Sequence, residues 1–139
     1  MSYLLDTNVL SELRRKQPHP GVSEWMAQRP ASSLYLSVLT LGELRKGIDG
    51  VQDDTRKLAL SDWLQNELSL FFLGRVLSID EQVADRWGQL VAAAGRPMPA
   101  IDSLLAATAL VHGLRMVTRN AKDFEGMGLE VINPWNLSQ

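Results

Sequence analysis

The stretch MSYLLDTNVLSEL (residues 1–13) decides how the rest of the chain is read. An apolar run, Tyr3-Leu4-Leu5, meets Asp6-Thr7-Asn8, and the sequence then turns apolar again at helical spacing. Residues 2–6 are predicted as a short buried strand and residues 8–14 as a short helix. Asp6 is therefore set where a strand ends. Asp, Thr and Asn all cap helices well, so a helix cap is one reading of this triplet. A functional reading needs partners for Asp6 elsewhere in the chain.

The alternation continues. Pro18-His19-Pro20-Gly21 breaks the chain, residues 21–28 read as a helix, and SLYLS (33–37) reads as a strand of alternating type. Ser37 is placed to cap a helix running to about Ile48, with Val38, Leu41, Leu44 and Ile48 near one face and Gly47 and Gly50 at its end. Gly42 lies inside it, where glycine costs about 1 kcal/mol relative to alanine and so suggests a packing or access reason. Leu60, Trp63, Leu64, Leu68 and Phe71 give helical spacing across 53–72. RVLSI (75–79) is a strand, and Asp80 caps a helix with the stripe Val83, Trp87, Leu90, Ala94, closed by Gly95. Residues 100–112 form a helix apolar nearly all round; RMVT (115–118) and LEVINP (129–134) are the last strands. Strands separated by helices predict an α/β fold with a mostly parallel sheet covered on both faces. In such sheets ligands bind beyond the carboxyl ends of the strands. Asp6 and the segment Thr118-Arg119-Asn120 both fall there.

Composition narrows the chemistry. The chain has 139 residues, 45% of them hydrophobic and 22% charged, which suits one domain spanning 1–139 with a real core. No apolar run spans a bilayer and the N-terminus does not read as a signal peptide, so a cytoplasmic protein without membrane contact is expected. The formal net charge is −2, which does not announce a nucleic-acid binder. Basic residues are nonetheless bunched at Arg14-Arg15-Lys16, Arg45-Lys46 and Arg115, Arg119, Lys122, either as solvated faces or as binding patches. Cysteine is absent and only His19 and His112 are present. Thiol and Ser-His-Asp mechanisms are therefore poorly supported.

Acids stand out instead. Asp102 is the sole charged residue between Pro99 and Val111, near the start of an apolar helix. There it is either an acid favoured by the helix dipole or a buried carboxylate that needs a cation. Glu43 follows Gly42 and is either a solvent-facing partner of Lys46 or a third member of an acidic pocket. Carboxylates without His or Cys select oxygen-loving ions, Mg²⁺ or Mn²⁺ rather than Zn²⁺. An acidic cluster around such an ion is a standard solution for phosphodiester hydrolysis.

Four segments, LLDTNVLSEL, LTLGELRKGI, PAIDSLLAATAL and VTRNAKDFEGMGLEVINPW, resemble PIN-domain ribonucleases, most nearly the VapC-like toxins of toxin–antitoxin pairs. The resemblance spans nearly the whole chain. It implies a three-layer α/β/α fold and a metal-dependent endoribonuclease with RNA as substrate. It implies that Asp6 and Asp102 bind Mg²⁺ or Mn²⁺ directly, that Glu43 completes the pocket, and that Thr7 orients a carboxylate or a water. Many relatives carry an acid directly after the Thr-Arg pair that follows the fourth strand; this chain has Asn120, with Asp123 as the nearest acid. Asn120 is expected to line the pocket through its carbonyl oxygen, with Asp123 behind it as a partial substitute and weaker affinity for a second ion. On the substrate side Thr118, Arg119 and Arg45 are expected, with Arg14, Arg15 and Lys16 on a longer track. The resemblance also implies a homodimer and a cognate VapB-like antitoxin that presents an Arg or Lys to the acids. A housekeeping RNA-processing nuclease and an inactive PIN scaffold remain as alternatives. A dehalogenase-type site would want Asp-x-Asp where Asp6-Thr7-Asn8 stands, and a receiver would want a Lys where Asn133-Pro134-Trp135 stands.

Overall fold

Tyr3–Leu5 (β1) is buried at all three positions, because it lies at the centre of a sheet covered on both sides. The computed structural model describes residues 1–137; residues 138 and 139 of the expected domain lie outside the described residues. Strands Leu34–Ser37 (β2), Val76–Leu77 (β3), Arg115–Val117 (β4) and Val131–Ile132 (β5) complete a five-stranded sheet in the order β3-β2-β1-β4-β5. Every pairing is parallel, so "mostly parallel" becomes wholly parallel among the described residues.

Successive side chains of a strand point to opposite faces, and the core divides accordingly. Tyr3, Leu5, Leu34, Leu36 and Val117 join one apolar cluster with Val9, Val22, Trp25, Leu44, Ile48, Leu64 and Phe72. Apart from Phe72, which caps the last of them, these come from helices Thr7–Leu13 (α1), Pro20–Ala27 (α2), Val38–Asp49 (α3) and the helical stretch 54–71. Leu4 and Met116 face the other way and join Leu90, Leu105, Ala106, Ala109 and Phe124, with Glu81–Ala94 (α6) and Ala100–His112 (α7) as the covering layer. The predicted three-layer α/β/α architecture is the observed one.

Several expected details differ. β2 does not alternate: Leu34, Leu36 and Ser37 are buried and Tyr35 is half-buried, as suits a strand covered on both faces. The buried stripe of α3 is Thr40, Leu44 and Ile48, while Val38 is 39% exposed; the burial of a threonine hid that register from an apolar count. Gly47 lies within α3 and Gly50 caps it with right-handed backbone. A Cβ at Gly42 would meet nothing within 4 Å, so packing does not require that glycine. The helix expected over 53–72 breaks into Asp54–Asp62 (α4), a π-helical turn Trp63–Leu68 and Ser69–Phe71 (α5). Two caps form as expected: the Ser37 hydroxyl accepts from the Leu39 amide at 3.0 Å, and Asp80 Oδ1 accepts from the Val83 amide at 3.0 Å. Gly95 closes α6 with a left-handed φ of 64°, the conformation that favours glycine at a helix end. Among the described residues no helix is long and apolar enough to cross a membrane.

Candidate active site

The register of β1 against β4 pairs Leu5 with Val117, and so brings Asp6 beside Thr118 across 112 residues of sequence. The Asp6 amide donates to the Val117 carbonyl at 2.9 Å and the Thr118 amide to the Ile132 carbonyl at 3.0 Å. The strand ends are thereby locked before any side chain acts. Asp6 also begins α1, its Oδ1 accepting from the Thr7 amide at 2.8 Å. The cap expected from the sequence and the site position coexist in one residue.

Two side chains, Thr118 and Asn8, fix the Asp6 carboxylate. The Thr118 hydroxyl donates to Asp6 Oδ2 at 2.7 Å. That hydroxyl accepts from Asn8 Nδ2 at 3.2 Å and from the Asn120 amide at 3.0 Å. A hydroxyl has two lone pairs and one proton; with both lone pairs engaged, the proton is committed to Asp6. The orientation of the Asn8 amide is itself settled, because its Oδ1 accepts from the Arg119 amide at 3.2 Å and only an oxygen can do so. Thr7 turns its hydroxyl to Glu43 Oε1 at 2.5 Å. That contact ties α1 to α3 at the mouth of the site.

Asp6, Thr7, Asn8, Glu43, Asp102 and Asn120 line one cavity of about 570 Å³, together with Ser11, Glu12, Arg15, Arg119 and Trp135. The expected triad of Asp6, Glu43 and Asp102 is thus assembled from the end of β1, the middle of α3 and the first turn of α7. Burial pushes the Asp6 carboxyl above its ordinary value, with smaller upward pushes from Glu43 and Asp123 and opposing hydrogen bonds from Thr118 and Thr7. Asp102 is raised too, first by burial and then by the charges of Asp6, Asp123 and Glu43. Among the described residues no Lys or Arg forms an ion pair with any of the three. Buried carboxylates that repel one another and lack a protein cation are a donor set suited to a hard divalent ion. Among the described residues, no three Asp, Glu or His side chains converge closely enough to enclose an ion between them. A hard ion such as Mg²⁺ does not require a full protein cage, since it typically takes one or two carboxylates and keeps several waters.

The remaining expected residues divide. Asn120 reaches the cavity and Arg119 lines it. Asp123 is exposed, in the 3₁₀ turn Ala121–Phe124; it acts on Asp6 and Asp102 through its charge without forming part of the cavity wall. Arg45 is turned away, pairing with Asp49 at 3.3 Å and donating to the Ser61 hydroxyl at 3.1 Å. Arg14, Arg15 and Lys16 line an adjoining groove of about 790 Å³ that shares Thr7, Ser11, Arg15 and Glu43 with the acidic cavity. That groove holds one of the three acids only, Glu43, whereas all three line the smaller cavity.

Four cavity residues, Asn8, Ser11, Glu12 and Trp135, escape sequence reasoning. Asn8 was read as part of a cap. Glu12 is 5% exposed and accepts from the His19 amide at 2.8 Å, with Arg15 at 3.3 Å; the His19 bond lowers its pKa most, and Arg15 assists. The i, i+3 spacing of Glu12 and Arg15 was visible, but their place beside the acids was not. Trp135, beyond the last strand, gave no periodic signal.

A family model described as PIN domain matches residues 3–128. The chain is similar to VapC ribonuclease Y4jK of Sinorhizobium fredii, at 36% identity over 95% of this chain and 96% of that protein. It is similar to toxin FitB of Neisseria gonorrhoeae, at 37% identity over 96% of this chain and 98% of that protein. The crystal structure of FitAcB from Neisseria gonorrhoeae superposes with a TM-score of 0.90 and 36% identity, covering 97% of this chain and 99% of that one.

Proposed function

This chain belongs to the PIN-domain family, in its VapC-like branch, and from that membership we propose that it is a divalent-metal-dependent endoribonuclease, the toxin of a toxin–antitoxin pair. The observation that carries the reading is the set of carboxylates gathered at one cavity, the buried Asp6 at the end of β1 with the half-buried Asp102 of α7 and Glu43 of α3, which repel one another and, among the described residues, form no ion pair with a Lys or Arg. Asp6 and Asp102 would hold Mg²⁺ or Mn²⁺, with Glu43 and the Asn120 carbonyl reaching it through water. When bound, such an ion supplies a Lewis acid for phosphoryl oxygens and lowers the pKa of a water.

The chain's own residues do the positioning. Thr118 holds the Asp6 carboxylate with Oδ1 capped by the Thr7 amide, so one rotamer is kept. Glu43, held by Thr7, is placed to orient the attacking water. Arg119 and Arg15 lie across the same cavity, where guanidinium groups suit phosphate oxygens. Water attacks phosphorus, the bond from phosphorus to the 3′ oxygen breaks, and the products carry a 5′-phosphate and a 3′-hydroxyl. A cognate antitoxin is expected to place an Arg or Lys against Asp6, Glu43 and Asp102, and a second copy of the chain to cover exposed Leu58, Leu70 and Leu73, each more than 70% exposed.

Mass spectrometry of a cleaved oligonucleotide tests the reading. The expected result is 5′-phosphate and 3′-hydroxyl ends with Mn²⁺, no cleavage in EDTA, and none by Asp6→Asn. Cyclic phosphate ends, or full activity in EDTA, would refute it.

A further inference from the structure

A cavity built for a phosphate and an ion has little use for a large aromatic wall, yet Trp135 forms part of this one. Its place is held by several contacts. Asn133 Oδ1 accepts from the Trp135 amide at 2.9 Å, and Asn133 Nδ2 donates to the Arg119 carbonyl at 3.1 Å. One side chain therefore fixes both residues. The Arg119 guanidinium lies 5.5 Å from the centroid of the Trp135 ring, within cation–π range. The His19 ring stands 6.5 Å away, tilted by 45°.

The backbone is shaped to allow this. A Cβ at Gly21 would sit 2.5 Å from the Pro134 carbonyl oxygen, so the closing segment reaches the start of α2 only because residue 21 has no side chain. Packing on the core explains part of this, since Trp135 touches the first apolar cluster. It does not explain why the ring also lines the acidic cavity with the Arg119 guanidinium within cation–π range of it.

We infer that the Arg119–Trp135 stack is a subsite for one unpaired nucleobase of the RNA strand, adjacent to the phosphate that is cleaved. The inference rests on the ribonuclease reading above. A flat aromatic face takes any base by stacking, and a guanidinium beside it adds a contact to the flanking phosphate. A base within an A-form duplex is not free to enter, so the subsite selects single-stranded or looped RNA.

The test measures kcat and KM for short single-stranded RNAs in Mn²⁺, each with one abasic nucleotide at a different position around the cut. Wild type is expected to lose roughly 5- to 150-fold in kcat/KM, mostly through KM, at one position flanking the cut; that is the range of base–aromatic stacking by alanine substitution. Trp135→Leu, which keeps an apolar filler against the core, is expected to lose a similar factor on intact RNA and to show no further loss on the abasic RNA. Trp135→Phe, which keeps a ring, is expected to retain most of both and serves if the leucine variant does not fold. If the leucine variant, folded by thermal melt, remains as sensitive to the abasic position as wild type, or if the folded phenylalanine variant loses that sensitivity altogether, the subsite is refuted. If wild type cleaves the series without any sensitive position, the subsite falls while the ribonuclease reading stands. If wild type cleaves none of the series, both fall.

Discussion

Thr118→Val is the substitution that most directly tests how Asp6 is held. Thr118 is fully buried and valine matches its shape, so the change removes a hydroxyl and little else. Three contacts are lost with it: the 2.7 Å donation to Asp6 Oδ2 and the acceptances from Asn8 Nδ2 and the Asn120 amide. A hydrogen bond to a charged group contributes about 1.5–3 kcal/mol, and a stranded buried donor costs about 1–3 kcal/mol more. Asn120 is exposed and water can serve its amide, and the half-buried Asn8 keeps Asp6 Oδ2 within 3.4 Å of its Nδ2, so neither donor is stranded. The loss is therefore about 1.5–3 kcal/mol, or roughly 5–9 °C in Tm for a domain of this length. Thr118→Ser keeps the hydroxyl and should lose only the value of a buried methyl, about 1 kcal/mol.

The pH dependence has a definite sign. Asp6 in the folded chain titrates above its ordinary value of 3.8, and the Thr118 bond is strongest to the ionised carboxylate. The deficit of Thr118→Val should therefore be full at neutral pH and shrink as pH falls through the folded value, where wild type protonates Asp6 too. Thermal melts of the three proteins in EDTA, from pH 7 downward, measure it. Equal melting of the valine and serine variants, or a deficit that grows on acidification, would refute the account.

Asp102→Asn addresses the repulsion itself. Because the Asp102 carboxyl is raised in the fold, its contribution to stability is full below about 3.8 and is lost as pH rises through the folded value; at neutral pH the ion-free variant should melt as high as wild type or higher, and Mn²⁺ should raise the melting of wild type but not of the variant. The two arginines expected at the substrate should separate: Arg45→Ala removes contacts to Asp49 and Ser61 only and should leave KM for RNA within about twofold, as for an exposed pair, whereas Arg119→Ala should raise it several-fold.

Much of this was legible because two signals coincide. Strand–helix alternation is a long-range statement about layers, and short motifs at strand ends then fall at one edge of the sheet. Asp6 and Thr118 could be predicted to meet on that ground alone. What the sequence hid is rotation and register within elements. Arg45 lies two residues from Glu43, yet the helix turns it to Asp49 and Ser61. Thr40 is buried in the stripe that an apolar count assigned to Val38. The π-helical turn Trp63–Leu68 cannot be told from α-helix by spacing, because Leu64 and Leu68 satisfy both. Asn8 holds both strand ends through a hydrogen-bond pattern that depends on three dimensions, and its type alone suggested a cap.

The resemblance to PIN-domain ribonucleases implies an acid where this chain has Asn120, and the electrostatics give the neutral residue a reason. Asp6 is already raised by burial and by Glu43, Asp102 by burial, by Asp6 and by Glu43, and the exposed Asp123 adds to both. A further acid at residue 120, on the cavity wall, would deepen that repulsion in the ion-free protein without adding a hydrogen bond that the backbone does not already make: the Asn120 amide, not its side chain, serves Thr118. The neutral side chain keeps a carbonyl oxygen at the wall and leaves the negative charge to Asp123, one turn away in solvent, where water screens it. Asn120→Asp is therefore expected to lower the ion-free melting temperature and to enlarge the gain on adding Mn²⁺ in the same preparation. A variant that melts as wild type does, with and without ion, would show that residue 120 lies outside the field of the acids.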